Sequence, residues 1–494
     1  MKAGKSDLSK MRILYLDLDS MRPDHMGCYD YHRNTTPNMD SVAAEGVTFT
    51  RLYASDSPCV PARATFISGK FAAHHGAATH WGPGSEFQYP GHAHHHRPED
   101  AIFTRLLRQN GIRPISFSSF ADRHQAWWFA AGWREHHTFS EQGGGEQADE
   151  VNASVLPWLK AHGAEDNWFL HVQYWDPHRI YKAPLKYSRQ FETDPLPPWP
   201  DETAITEHQK STGPFSATFL FNGREESPVP TMPAKISNMD ELRCMIDGYD
   251  GQIRHMDERI GELFDLLNNL GVWDETAVII SADHAEGMGE QGVYGDHCCA
   301  SESVHHLPAI IRWPGVGAQG IKNSAFVYNA DLIATITDLL GIDVPRNWDG
   351  KSFAAAVRGE PFKGHPHLVW GHALYSCQRV VRTDRWQFVR TYHPGLFQFP
   401  PVQLFDMHAD IHETKDVSAE HPDVVKECDH LLAEWHQEMF GHHGALPDSM
   451  QKVVQTGPWK YATLDGWISM LRSKGREDIA RQILDRLGLT NFAY

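Results

Sequence analysis

Apolar residues in the first part of the chain occur in short runs, separated by longer stretches in which apolar residues follow helical spacing. Short uninterrupted runs are typical of strands that are buried on both faces of a parallel sheet. The runs lie at residues 12–18, 47–49, 112–117, 168–174, 277–280 and 309–313. Helical spacing predicts helices at 37–46, 98–111 and 146–162, and a long helix capped by Ser237. Repeated strand–helix alternation predicts an α/β fold with a large, mainly parallel sheet flanked by helices.

The texture of the sequence changes after about residue 360. Short, closely spaced strand patterns at 368–370, 378–381 and 386–392 are followed by a helical pattern at 422–440. We therefore expect two domains: a catalytic α/β domain over residues 1–360, and a smaller C-terminal α+β domain with a helical tail over residues 361–494.

Charge and hydropathy exclude several classes of function. The chain has 45 Lys and Arg against 63 Asp and Glu, a net charge of −18, which repels nucleic acids and anionic membranes. No apolar run approaches the ~20 residues of a membrane span, and the first residues are too polar for a signal-peptide core. We expect no nucleic-acid or membrane partner. As it stands the sequence indicates a cytoplasmic protein, or a periplasmic or secreted one if a signal peptide was removed.

One cysteine has a sequence context that favours chemistry. Prolines flank Cys59 in the pattern Cys59-x-Pro61-x-Arg63, and a helix is predicted to begin there. Free backbone N–H groups at a helix N-terminus favour an anion. Arg63 lies one helical turn further on and adds a permanent positive charge. The pattern indicates a nucleophile that faces an anion.

Two aspartates are predicted to meet at one edge of the sheet. Asp19 and Asp283 each follow a predicted parallel strand, and the carboxyl ends of such strands are where ligands gather. Two carboxylates brought together repel each other unless a cation lies between them. Asp17 is on the same strand face as Asp19 and is a second choice as ligand.

These motifs resemble those of the formylglycine-dependent sulfatases of the alkaline phosphatase superfamily. The resemblance covers about residues 12–415, and beside Cys59-x-Pro61-x-Arg63 it rests on three blocks in the family's order. The blocks are 13–29 with 36–40, Trp175-Asp176-Pro177-His178, and 281–287 with Trp313-Pro314-Gly315 downstream.

The resemblance implies a sulfatase that hydrolyses a small sulfated molecule, such as a sugar, aryl or alkyl sulfate. Cys59 would be oxidised to formylglycine by a separate generating enzyme, and its hydrate would attack sulfur while Arg63 and a metal hold the sulfate oxygens. His178 or His297 would protonate the leaving alcohol. The implied ligands of one divalent metal are Asp19, Ser20, Asp283 and His284. Ca²⁺ is the expected metal, and the imidazole of His284 also suits Mn²⁺ or Zn²⁺.

The chain departs from the family pattern at several positions. Ser20 stands where many relatives carry an aspartate, and His297 stands near the place of a family lysine. The family's Gly-Lys-Trp-His segment is absent, so His80, His124 and His297 all stay open as the base for the last step. These departures leave a phosphonate monoester or phosphodiester hydrolase of the same superfamily as the alternative. A non-catalytic, metal-stabilised binding protein is disfavoured by the full set of motif residues, and an oligomer stays open.

Overall fold

The structure is a computed structural model that describes residues 10–88, 102–138, 144–221, 223–316, 319–443, 445–459 and 462–489. The strands are β1 (Arg12–Leu18), β2 (Val47–Phe49), β3 (Leu52–Tyr53), β4 (Asp56–Ser57), β5 (Arg113–Phe117), β6 (Glu135–His137), β7 (Trp168–Tyr174), β8 (Thr276–Ala282), β9 (Gly287–Met288), β10 (Tyr294–Asp296), β11 (His306–Leu307), β12 (Ala309–Arg312), β13 (Ile321–Asn323), β14 (Val327–Tyr328), β15 (Leu368–His372), β16 (Cys377–Arg382), β17 (Trp386–His393) and β18 (Val402–Asp406).

The α-helices are α1 (Pro37–Glu45), α2 (Cys59–Ser68), α3 (Ala72–His75), α4 (Phe103–Gln109), α5 (Phe120–His124), α6 (Ala148–His162), α7 (Leu185–Ser188), α8 (Glu202–His208), α9 (Met239–Asn269), α10 (Glu302–His305), α11 (Asn329–Leu339), α12 (Ala354–Val357), α13 (Pro422–Phe440), α14 (Ser449–Thr456), α15 (Leu464–Ser473) and α16 (Glu477–Arg486). Within the described residues, none of these helices combines the length and the apolar character that a membrane span requires.

An eight-stranded sheet forms the centre of the molecule, in the order β13-β2-β12-β8-β1-β7-β5-β6. β1 pairs in parallel with both β7 and β8, and every residue of these three strands is buried. Burial on both faces explains why their sequences are apolar without alternation. β12 runs antiparallel to β8 and β2. The prediction of an α/β fold with a mainly parallel sheet is confirmed.

The helix boundaries differ from the predicted ones in two places. Asn238, not Ser237, caps α9: its side chain accepts a hydrogen bond from the backbone N–H of Glu241 at 2.9 Å. Ser237 instead donates through its backbone N–H to the Glu241 carboxylate at 2.6 Å. Both residue types are good caps, so the sequence alone could not choose between neighbours. The helix expected to run from residue 98 begins at Phe103 instead, because Ile102 ahead of it has an extended backbone; residues 98–101 lie outside the described part.

A second sheet, in the order β18-β17-β16-β15-β4, contains the three strands predicted after residue 360. Its edge strand β4 comes from residues 56–57, directly ahead of Cys59, and pairs in parallel with β15. Ser57 also lies 2.8 Å through its hydroxyl oxygen from Nδ1 of His372. The segment before Cys59 is therefore held by the second sheet, while β1 and β8 hold the two aspartates. The domain boundary at residue 360 stays a prediction.

Candidate active site

The two aspartates lie side by side at the carboxyl edge of the main sheet. Leu18, the last residue of β1, pairs with Ala282, the last residue of β8, so Asp19 and Asp283 leave neighbouring strands at the same level. Both are buried. The sequence could predict this meeting because parallel neighbours bring their carboxyl ends to one edge.

Cys59 is the first residue of α2, and Arg63 lies one turn further along the same helix. The Nη1 atom of Arg63 donates to Oδ2 of Asp19 at 3.0 Å and also to Oδ2 of Asp283, while Nε donates to Oδ2 of Asp17 at 3.0 Å. Both residues are buried, with exposed fractions of 1%. One guanidinium therefore faces three carboxylates, which leaves this buried cluster with an excess of negative charge.

The pKa values of the cluster reflect this excess. Burial raises the pKa of Asp19, but the charges of Arg63, His178, His284 and Arg123 together outweigh burial and lower that pKa to about 2. Burial raises the pKa of Asp283 to about 7, against the opposing effect of Arg63 and with a further increase from the Asp19 charge. Burial, Asp19 and Asp283 raise the pKa of the Cys59 thiol well above its usual value. Without a further cation, these shifts keep the Cys59 thiol protonated and favour a proton on the Asp283 carboxyl group near neutral pH.

The residues around Cys59 fit a divalent cation. One ligand atom from each of Asp19, Cys59, Asp283 and His284 can be chosen so that all four lie within 4.8 Å of one another. The Nε2 atom of His284 lies 3.0 Å from Sγ of Cys59 and 3.4 Å from Oδ2 of Asp283. One positively charged nitrogen, Nη1 of Arg63, already contacts both Asp19 and Asp283. The two carboxylates are therefore close enough to share a cation. Carboxylate oxygens suit Ca²⁺, and the imidazole extends the choice to Mn²⁺ or Zn²⁺.

Two other candidate ligands have different surroundings. The hydroxyl of Ser20 donates to Oδ1 of Asp19 at 3.1 Å, and its backbone N–H lies 3.4 Å from Oδ1 of Asp283. Asp17 accepts from Arg63 and from Nε2 of His171 at 3.2 Å, and it lies outside the group of four. Ser20 thus orients both aspartates, and Asp17 orients Arg63.

His178 and His297 both lie near the cluster. The ring centroid of His297 is 4.2 Å from that of His284 and 5.8 Å from that of His178. The Nδ1–H of His178 donates to the carbonyl oxygen of Arg179 at 2.5 Å. Burial lowers the pKa of His178 to about 3 and shifts the pKa of His297 well below its usual value. The free site thus holds neutral imidazoles, and a bound anion would raise their pKa values.

A cavity of about 350 Å³ opens onto these histidines. Beside His178 and His297, its lining includes the charged residues Arg123, Arg179, Arg224 and Asp296. None of the three arginines was predicted from the sequence. Arg179 directly follows His178, so adjacency to the motif was the available signal. A larger cavity of about 770 Å³, next to Trp199 and Phe397, is lined by none of the predicted site residues. Size alone would have selected the cavity that contains none of the predicted site residues.

Comparison with known proteins places this geometry in a family. Residues 12–342 match the family model described as Sulfatase, and residues 289–438 match the model described as N-sulphoglucosamine sulphohydrolase, C-terminal. A choline-sulfatase of Rhizobium meliloti is 25% identical over 446 residues, which is 82% of this chain and 83% of that protein.

Solved structures share the fold. A protein solved in complex with its substrate D-glucosamine-2-N,6-O-disulfate superposes with a TM-score of 0.71 at 18% identity, over 87% of this chain and 98% of that chain. A phosphonate monoester hydrolase from Silicibacter pomeroyi gives a TM-score of 0.67 at 19% identity, over 88% and 96%. Since the Sulfatase model spans most of its length, the chain belongs to the sulfatase family of the alkaline phosphatase superfamily and is a sulfuric ester hydrolase.

Proposed function

We propose that the chain hydrolyses the sulfate ester of a sugar, aryl or alkyl compound, with a formylglycine made from Cys59 by a generating enzyme and with one bound divalent metal. The observation that carries the proposal is the position of Cys59. It begins a helix and lies within 4.8 Å of ligand atoms on Asp19, Asp283 and His284. The proposal therefore puts the nucleophile, the anion-binding helix end and the cation at one place in the molecule.

The first requirement of the reaction is a nucleophile in line with sulfur. A hydrated formylglycine at position 59 would supply two hydroxyl groups, one to attack sulfur and one to expel the sulfate afterwards. The backbone N–H groups at the start of α2 and the unpaired Nη2 of Arg63 are the donors available for sulfate oxygens. Asp17 fixes the guanidinium by its bond to Nε.

The second requirement is charge stabilisation. Asp19, Asp283 and His284, with Ser20 beside them, would hold the metal, Ca²⁺ being the expected ion. A cation there would supply Lewis-acid stabilisation of the negative oxygens. It would also balance the excess negative charge of the buried carboxylates.

The third requirement is a proton for the leaving alcohol. His178 and His297 both line the cavity, and a bound sulfate would raise the pKa of either imidazole. We assign the proton transfer to His297 and the binding of the sulfate group to His178. His297 lies near the place of a family lysine, and His178 ends the block that resembles the family's sulfate-facing loop.

The cavity also favours an anionic substrate. Arg123, Arg179 and Arg224 line it, against one carboxylate from Asp296. Guanidinium groups bind sulfate and carboxylate oxygens through paired N–H donors. A sugar that carries a second acidic group fits this lining, in keeping with the disulfated sugar bound by one solved relative.

A phosphonate monoester or phosphodiester hydrolase is the second candidate, since a solved phosphonate monoester hydrolase shares the fold and the family lysine expected near His297 is absent from this chain. The test compares kcat/KM for 4-nitrophenyl sulfate with that for a 4-nitrophenyl phosphonate monoester, using protein co-expressed with a formylglycine-generating enzyme. A Cys59→Ala variant is the control for background hydrolysis. We expect the sulfate to be preferred; a higher kcat/KM for the phosphonate would replace the first proposal by the second.

A further inference from the structure

A second group of metal-ligand side chains shares Cys59 but no other residue with the first. One ligand atom each from Cys59, His80 and His297 can be chosen so that all three lie within 4.8 Å of one another. All three residues are buried, with exposed fractions of 1%, 4% and 4%. No sequence motif predicted this group, because His80 lies in a loop after α3 and His297 directly follows β10.

The imidazoles of this group are held by the protein around them. The ring of His80 packs against that of His124 with centroids 4.6 Å apart, and the ring of His297 packs against that of His284. The backbone N–H of His297 donates to Oδ1 of Asp296 at 2.8 Å. Its Nδ1 atom is buried and has no hydrogen-bond partner among the described residues. A buried ring nitrogen without a protein partner is available to bind a metal ion.

The donor set differs in kind from the first group. The first group adds the hard oxygen atoms of Asp19 and Asp283 to one sulfur and one imidazole. The second group offers only one sulfur and two imidazole nitrogens, the donors that Zn²⁺ prefers. Three protein ligands with a fourth position open is the arrangement of zinc sites that also accept a substrate or water. His80 and His297 line the 350 Å³ cavity, so the open position would face it.

We propose that Cys59, His80 and His297 form a second metal site, selective for Zn²⁺ or a similarly soft divalent cation, in the chain whose Cys59 is unmodified. Formylglycine formation removes the sulfur and leaves two imidazoles, so the matured protein should hold this ion more weakly. The ion binds to the chain as translated. Its binding does not depend on turnover, and sulfatase activity of the matured protein neither supports nor contradicts it.

The experiment uses protein expressed without a generating enzyme, stripped of metal and titrated with Co²⁺ as a spectroscopic substitute for Zn²⁺. Cobalt bound to a thiolate gives a near-ultraviolet sulfur-to-cobalt charge-transfer band. We expect this band in the wild type, its loss in Cys59→Ser, and a dissociation constant raised at least about tenfold in His80→Ala and in His297→Ala. Zn²⁺ should abolish the band by displacing cobalt.

Two controls separate the new group from its neighbours. Asp283→Asn removes a ligand of the first group and should leave the cobalt–thiolate band in place. His124→Ala removes a buried imidazole that packs on His80 but is not in the group, so it should keep the cobalt–thiolate band and weaken cobalt binding less than His80→Ala does. A wild type without the band would overturn the proposal. A band abolished by Asp283→Asn but unchanged in His80→Ala and His297→Ala would overturn it too, because Cys59 would then serve only the first group.

Discussion

Two buried arginines differ in how their charge is balanced: Arg379 in the second sheet is paired with one carboxylate, and Arg63 in the candidate active site contacts three. Arg379 donates through Nη1 and Nη2 to the two oxygens of Asp448, each at 2.8 Å, and lies over the ring of Trp435 at 4.9 Å. One guanidinium there meets one carboxylate, and Asp448 also caps α14. Arg63 instead meets three carboxylates, and its Nη2 has no hydrogen-bond partner among the described residues.

The difference shows which buried charges are structural and which are available for chemistry. The pair of Arg379 and Asp448 is complete, because each charge has its counterpart in bidentate geometry. The cluster around Arg63 is incomplete because three carboxylates meet one guanidinium, and burial raises the pKa of Asp283 to about 7, which favours a proton on that carboxyl group. A divalent cation would do so more fully. Incomplete charge balance at the ends of β1 and β8 is therefore the physical argument for the proposed metal site.

The largest expected effect is a loss of catalytic rate at the candidate active site. His297→Ala should lower kcat/KM for a sugar sulfate by about 10²–10⁴-fold, because the poor leaving group needs its proton, and should spare 4-nitrophenyl sulfate, whose phenolate leaves unaided. His178→Ala, which removes a contact to the bound sulfate, should lower kcat/KM for both substrates by a similar factor. Steady-state kinetics on the two esters decide the matter, and equal losses for His297→Ala would reverse the assignment.

Breaking the complete pair should cost stability and nothing else. Asp448→Ala leaves the buried guanidinium of Arg379 without its carboxylate and should lower the free energy of unfolding by about 3–5 kcal/mol. Asp406→Ala is the control: Asp406 pairs with the exposed Arg385, and its loss should leave the free energy of unfolding close to that of the wild type. Urea unfolding measures both, and metal content and kcat should stay unchanged. A kcat loss in folded Asp448→Ala protein would mean that the second sheet takes part in the reaction.

A substitution in the cluster around Arg63 should cost metal binding and activity but not stability. Asp283→Asn removes one metal ligand and should weaken metal binding at least about 10²-fold, with most of the activity lost. In the presence of a chelator the same variant should be no less stable than the wild type, because it relieves the crowding of carboxylates around Arg63. Metal analysis checks the loss of metal binding, and unfolding curves measured with a chelator present check the stability. Wild-type metal content in the variant would refute the site.

Metal removal gives the smallest effect and tests the same point in the unmutated chain. An ion at 100 times its dissociation constant stabilises the native state by about 2.7 kcal/mol. We expect a chelator to lower the free energy of unfolding of the wild type by an amount of this order and to leave Asp283→Asn nearly unchanged. Equal shifts in both would place the bound ion elsewhere in the molecule.

Local pattern and strand direction were enough to predict the centre of the sheet and the meeting of its two aspartates. Buried runs located β1 and β8, and the residues directly after them, Asp19 and Asp283, lie together as expected. The antiparallel direction of β12 and the pairing of β4 with β15 could not be foreseen, because an apolar run does not state its partner. The position of Arg179 in the cavity depends on how a loop folds back, which no periodicity describes.

The peptide mass at position 59, measured on the same sample as sulfate release, tests the central claim most directly. The chain is expressed with and without a formylglycine-generating enzyme, and turnover of 4-nitrophenyl sulfate is compared with the fraction of peptide that carries the aldehyde. We expect turnover to rise in proportion to that fraction and to vanish in Cys59→Ala. Full turnover by protein in which Cys59 is an unmodified thiol would contradict the account.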